Sequence, residues 1–120
     1  MFNRKEVVQS YYTHVDRNDF QHFSKIFTEG IIYHRAEHTI IGLKNLIKFY
    51  NSERRIVGTH FIDSIFESQN TLIVLGRFTG VNSNSNSIII DFADFFYFDD
   101  KSSLISQRKT YLANGYELTK

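Results

Sequence analysis

Cysteine, proline and tryptophan are absent from this chain of 120 residues, and methionine occurs once. Without cysteine there can be no disulfide, no thiol nucleophile and no zinc–thiolate site. Without proline no X-Pro bond presets a turn, so the loops depend on Gly, Asn, Asp and Ser. No apolar run approaches the length of a membrane span. The segment Met1-Phe-Asn-Arg-Lys-Glu6 lacks the apolar centre of a signal peptide. A cytoplasmic protein is the expectation. A strong charge bias is missing too. The net charge is +1, and Lys and Arg are scattered, which is not the electrostatic footprint of a nucleic-acid binder. Neither a nucleic acid nor a membrane is expected as a partner.

What the chain does have is aromatic bulk. Twelve Phe and seven Tyr lie within a 42% hydrophobic composition, enough for one core in one domain spanning residues 1–120. Asn3 with Glu6 resembles a capping box, and Val7, Val8, Tyr11 and Val15 follow with a helical period. Arg17-Asn-Asp19 interrupts that pattern. A second, shorter helix then carries Phe20, Phe23, Ile26 and Phe27 on one face and ends at Gly30. Ile31 to Arg35 reads as a short strand. Leu43 to Tyr50 reads as a third helix, with Leu43, Leu46, Ile47 and Tyr50 inward.

The second half changes character. Residues 58–67, 71–81, 87–98 and 104–112 read as strands, separated by Gln69-Asn70, by Asn82-Ser-Asn-Ser-Asn-Ser87 and by Asp99-Asp-Lys-Ser-Ser103. Short loops between consecutive strands predict an antiparallel meander, and helices before it give an α+β fold with helices on one sheet face.

Asp94 stands out in this half. Alternation along the strand puts Ile88, Ile90, Phe92, Asp94, Phe96 and Phe98 on one face. A carboxyl among large apolar side chains must be paired, hydrogen-bonded or protonated, and a pocket is the expected setting. The opposite face carries Ile89, Asp91, Ala93, Phe95 and Tyr97 and is also largely apolar, so both faces call for burial. A homodimer through the sheet is expected, with cover by Ala113–Lys120 as the alternative.

The ordered set Val7-Val-Gln-Ser-Tyr11, Asn18-Asp19, Ile26-Phe27, Gly42 before a helix ending in Phe49-Tyr50, Phe92-Ala-Asp-Phe-Phe-Tyr-Phe98, and Arg108 with Tyr111 resembles the NTF2-like superfamily. The similarity is to its SnoaL-like and ketosteroid-isomerase-like members and covers roughly Val7 to Tyr111. It implies a cone-shaped NTF2-like (cystatin-like) α+β fold with a pocket between helices and curved sheet. In the isomerases a first-helix tyrosine and a third-strand aspartic acid hydrogen-bond a developing enolate oxygen, and Tyr11 and Asp94 match those positions. That acid is neutral because its site is apolar. The matching position of the isomerases' general base reads Arg35, which stays protonated at neutral pH. Whether the chain is an enzyme is left open by that departure.

Asp94 is therefore either a neutral acid facing the pocket or a carboxylate paired with Arg35, Arg54 or Arg77. Tyr11 is either a hydrogen-bond donor to ligand or an ordinary core tyrosine, and Tyr12 is expected to point elsewhere. His38, Glu37 or His60 would move a proton. Arg35, Arg54, His60, Phe92, Phe96 and Tyr111 are expected to contact a small apolar or carbonyl-bearing ligand. In the last strand Gln107, Lys109 and Tyr111 are taken as facing the pocket, with Arg108 on the other face. His34 and His38 lie four apart in a segment that reads as extended or looped, without a His-Glu-x-x-His frame. His14 and His22 read as exposed helical positions. No metal and no cofactor is expected. The functions these readings support are isomerase or cyclase chemistry on an enolisable carbonyl compound, non-catalytic binding of a small ligand, and an NTF2-like dimerisation module.

Overall fold

In the computed structural model, which describes residues 3–113, the Asn3 side chain accepts the Glu6 N–H at 2.8 Å and starts helix α1, Arg4–Asp16. Its buried positions are Val8, Tyr11, Tyr12 and Val15. That is the i, i+3, i+4, i+7 stripe of a helix lying on a sheet. Tyr12 belongs to it, so the expectation that it points elsewhere is not met.

The expected second helix is reduced to one 3-10 turn, Phe23–Lys25, and Gly30 lies inside strand β1, Phe27–Arg35. Phe20, Phe23, Ile26 and Phe27 are buried, as a helix face would require. An apolar pattern this short also fits a turn feeding a strand. The pairing of Phe27 with Ile105 decides for the strand. Strand β2, His38–Ile41, folds back on β1 through Ala36, which has a left-handed φ of 52°. This hairpin lacks the Asn-Gly or Asp-Gly signal that marks such turns in sequence. Helix α2, Leu43–Lys48, runs on into a π-helical turn, Phe49–Glu53.

The long strands come out close to expectation: β3 Val57–Ser68, β4 Thr71–Val81, β5 Ser87–Phe98 and β6 Ile105–Leu112. They form the antiparallel meander β3-β4-β5-β6. The β1–β2 hairpin joins it through a parallel β1–β6 pairing, completing a curved, open six-stranded sheet in the order β2-β1-β6-β5-β4-β3. The fold is α+β, with two α-helices among the described residues where three were expected. The helices and the inner sheet face enclose Tyr11, Phe23, Phe27, Ile31, Leu46, Leu72, Val74, Phe96 and Ile105. Gly76, on the inner face opposite Phe92, has no room for a side chain. A Cβ there would lie 2.5 Å from the Phe61 carbonyl oxygen and 2.7 Å from the Phe92 ring. Among the described residues no helix is long and apolar enough to cross a membrane.

Candidate functional site

Asp94 points from the middle of β5 into the core and is 1% exposed. Its cross-strand partner is Thr110, and Phe96 two residues on lies opposite Arg108. Directly opposed residues share a face of an antiparallel pair. Arg108 and Thr110 therefore face inward with Asp94, and Gln107, Lys109 and Tyr111 face outward. This reverses the expected phase of β6. Tyr111 lies 55% exposed on the outer face against Phe95, away from the inner cavity. The reason is register. Sliding one strand by one residue exchanges all its side chains between the faces, and a polar run such as Ser106-Gln-Arg-Lys-Thr110 gives no apolar pattern to set it.

Asp94 is consequently an acceptor in a closed network. Arg108 Nη2 donates to Oδ2 at 2.8 Å, the Tyr12 hydroxyl donates to the same oxygen, and the Thr110 hydroxyl donates to Oδ1. The cations weighed from sequence are elsewhere. Arg77 binds Asp91 on the outer face at 2.7 and 3.3 Å. Arg54 lies 5.5 Å from the ring centroids of both Tyr50 and Phe78. Arg35 is buried on β1, 5.9 Å from the Phe49 ring.

Arg108 is caged by rings, with its guanidinium 4.7 Å from Tyr11, 4.5 Å from Tyr33 and 5.2 Å from Phe96. Its Nη1 donates to the Tyr11 hydroxyl and, at 2.9 Å, to that of Tyr50, and the two hydroxyls also bond each other. Burial alone would push the guanidinium pKa down. The Asp94 carboxylate and the Tyr11, Tyr33 and Tyr50 hydroxyls carry it well above its ordinary value instead. Burial raises the Tyr11 hydroxyl well above the ordinary tyrosine value, against the pull of Arg108. Tyr12 is raised well above that value by burial and then by Asp94. Both tyrosines thus hold their protons at neutral pH. Tyr11 touches Arg108 rather than Asp94, and the tyrosine on Asp94 is Tyr12.

A second polar pair stands beside this network. Asp16, the last residue of α1, accepts the His60 backbone N–H at 2.9 Å and faces the His60 ring Nδ1 at 2.5 Å. The ring packs against Tyr12, Phe78 and Phe92. Burial lowers its pKa below the usual 6.5, while the Asp16 hydrogen bond works the other way. At neutral pH the imidazole is uncharged, Nδ1–H is committed to Asp16, and Nε2 is the nitrogen able to take a proton. Asp16 was not singled out from sequence. A signal was there: an acid in the last turn opposes the helix dipole and calls for some other partner.

His60, Arg54, Phe92, Tyr11, Asp94 and Arg108 line an inner cavity of about 40 Å³, together with Phe49. That space holds little more than a water molecule or two. Phe96 is fully buried behind Tyr11 and Tyr12 and does not line it. Arg35 and His38 line a different space, an open groove of about 410 Å³ between the β1–β2 hairpin and the π-helical turn, with Phe49 as a wall shared by both. His38 and Glu37 sit exposed at the hairpin turn, 4.0 Å apart. The expected site residues thus divide into an inner set, an outer set of Arg35 and His38, and two that touch neither space, Phe96 and Tyr111.

The backbone has close structural counterparts. A protein of Shewanella denitrificans OS-217 designated a SnoaL-like polyketide cyclase superposes with a TM-score of 0.80 at 15% identity, over 95% of this chain and 91% of that one. An NTF2-like protein of unknown function from Burkholderia pseudomallei K96243 gives 0.81 at 17% identity, over 92% and 91%. A protein of Catenulispora acidiphila DSM 44928 with a ketosteroid isomerase-like fold, solved with trimethylamine, gives 0.77 at 11% identity, over 88% and 84%. At such identities these relatives speak for the fold alone. No curated protein matches the sequence. The model of the SnoaL-like domain matches residues 8–104, from the first inward residue of α1 through all of β5. By that match, and with helices folded over one face of the open sheet, the chain belongs to the SnoaL-like domain family.

Proposed function

We propose that this protein acts on a small enolisable carbonyl compound, with His60 as the proton-moving group. The observation that carries the reading is the His60–Asp16 pair at the edge of the inner cavity, 2.5 Å between Nδ1 and Oδ1. A neutral imidazole with Nδ1 held by a carboxylate is oriented to accept a proton at Nε2 from a carbon next to a carbonyl. The oxygen that gains charge needs a donor. Arg108 Nε–H is buried and has no hydrogen-bond partner among the described residues. A buried orphan donor in a cavity wall suits a developing oxyanion. Asp94 then keeps Arg108 charged and in place, and Tyr11 positions its Nη1. This departs from a neutral Asp94 donating directly, because among the described residues Tyr12, Arg108 and Thr110 all donate to Asp94. A ligand of more than a few atoms must displace a wall, and movement of Phe49 would join the inner cavity to the outer groove and to Arg35 and His38.

The test is deuterium exchange at the α-carbon of cyclohexanone in D2O, followed by NMR. The protein is expected to exceed the buffer rate, and His60→Gln to lose about 100-fold or more of the acceleration. Exchange no faster than buffer, or an undiminished rate in His60→Gln, would sink the proposal.

A second reading rests on the outer sheet face, where Phe61, Phe66, Leu75, Ile89 and Tyr111 are all exposed. We propose that a second copy of the chain covers this face, as an exposed apolar surface of this kind marks an interaction site. A monomer at micromolar concentration in analytical ultracentrifugation would end it. The alternative cover, Ala113–Lys120, lies beyond Ala113 outside the described residues.

A further inference from the structure

Outside the lining of the inner cavity, the corner between α1 and β1 gathers two histidines and an aspartate. His14 is in the last turn of α1. Asn18 adopts a left-handed φ of 54°, and the Asp19 N–H bonds the His14 carbonyl at 2.9 Å, folding Asp19 back over the helix end. Asp19 Oδ1 accepts the Gln21 N–H at 3.4 Å, and Oδ2 lies 3.4 Å from His14 Nδ1 and 3.9 Å from His22 Nε2. One ligand atom from each of the three side chains falls within 4.8 Å of the others. Zinc holds imidazole nitrogen and carboxylate oxygen at ~2.0–2.2 Å in a tetrahedron, which separates neighbouring ligand atoms by roughly 3.3–3.6 Å. The 3.4 Å from Asp19 Oδ2 to His14 Nδ1 already matches that separation, and the 3.9 Å to His22 Nε2 is somewhat longer.

An ordinary histidine–carboxylate ion pair would account for one of these approaches. It gives no reason for two rings to converge on one oxygen with their centroids 4.8 Å apart. Together with Lys25, the same two histidines line a groove of about 300 Å³.

We propose that His14, Asp19 and His22 bind a divalent transition-metal ion, zinc by preference. Two imidazoles and one carboxylate are ligands of the kind that suits zinc, whose filled d shell imposes no geometric preference. Three protein ligands leave a fourth position for water or for an anionic group held in the groove beside Lys25. The side chains are 23%, 39% and 46% exposed for His14, Asp19 and His22, so the ion exchanges with solvent.

The experiment is a cobalt(II) titration of the chain without a polyhistidine tag, followed by zinc displacement and by the melting temperature. One equivalent should bind with the visible absorption of tetrahedral cobalt, and zinc should remove it. His14→Ala and His22→Ala should each weaken binding by more than about tenfold, since loss of even an outer-shell partner costs about that much. His38→Ala should leave it unchanged. Zinc should raise the melting temperature of the unsubstituted chain and not that of the doubly substituted one. Absence of binding, binding that survives His14→Ala and His22→Ala, or binding lost in His38→Ala would overturn the proposal.

Discussion

Two arginine–aspartate pairs join neighbouring strands on opposite faces of one sheet. Arg108–Asp94 links β6 to β5 on the inner face at 2.8 Å, and Arg77–Asp91 links β4 to β5 on the outer face at 2.7 Å. Their distances are nearly equal and their surroundings are not. The side chains of the inner pair are 5% and 1% exposed, those of the outer pair 57% each. Water screens the outer pair, and the entropy of holding two long side chains offsets most of what remains. The inner pair has lost its hydration, so its charges depend on each other and on the surrounding hydroxyls. Distance alone therefore says little about which pair holds the fold together.

Removing one inner charge should have the largest effect. Arg108→Met leaves Asp94 buried without its cation and is expected to lower stability by about 3–5 kcal/mol in urea unfolding, the range for a broken buried pair. Adding Asp94→Leu should restore much of that loss, because an apolar pair needs no counter-charge. A single substitution that costs almost nothing would show that Asp94 does not rely on Arg108.

His60 should give a smaller effect, and one that depends on pH. Its folded pKa lies below the unfolded value of 6.5. The unfolded chain therefore takes up a proton first as pH falls, and stability drops between about 6.5 and the lowered folded pKa. Above that window nothing is lost. His60→Gln should flatten this part of a melting-temperature profile, and a profile with the same slope in both proteins would contradict the assignment.

The outer pair should give the smallest effect. Arg77→Met is expected to leave the midpoint of unfolding near pH 7 within measurement error. The hydrogen bond from Arg77 holds the Asp91 carboxyl below its ordinary value, so an NMR titration should show that value returning upward in the variant. A large loss of stability would mean that this face is buried in solution, which would favour the dimer.

How much was legible beforehand follows the same inner–outer division. Strand alternation is enough to single out Asp94, and its burial follows from five large apolar neighbours on its face. Phe92 follows from the same alternation, His60 from the family resemblance, and Arg54 has no stronger signal than a cation at the end of a predicted helix, yet all three line the inner cavity. Arg108 faces inward against expectation, because the polar β6 carries no apolar pattern that would show its phase. Tyr12 was legible as well, since it stands four residues from Val8 on the buried stripe. Tyr111 was expected inward, but the register with Ala93 turns it out.

The sequence by itself determined the α+β class, the four-stranded meander and the presence of a carboxyl inside the core. Each of these rests on local periodicity, which survives without knowledge of what packs against it. Only the tertiary structure decided that Arg108 neutralises Asp94, that Asp16 holds His60, and that His14, Asp19 and His22 meet at one corner. Those contacts depend on strand register, on the packing of α1 against β3, and on a left-handed turn at Asn18. None of these leaves a periodic trace in the chain.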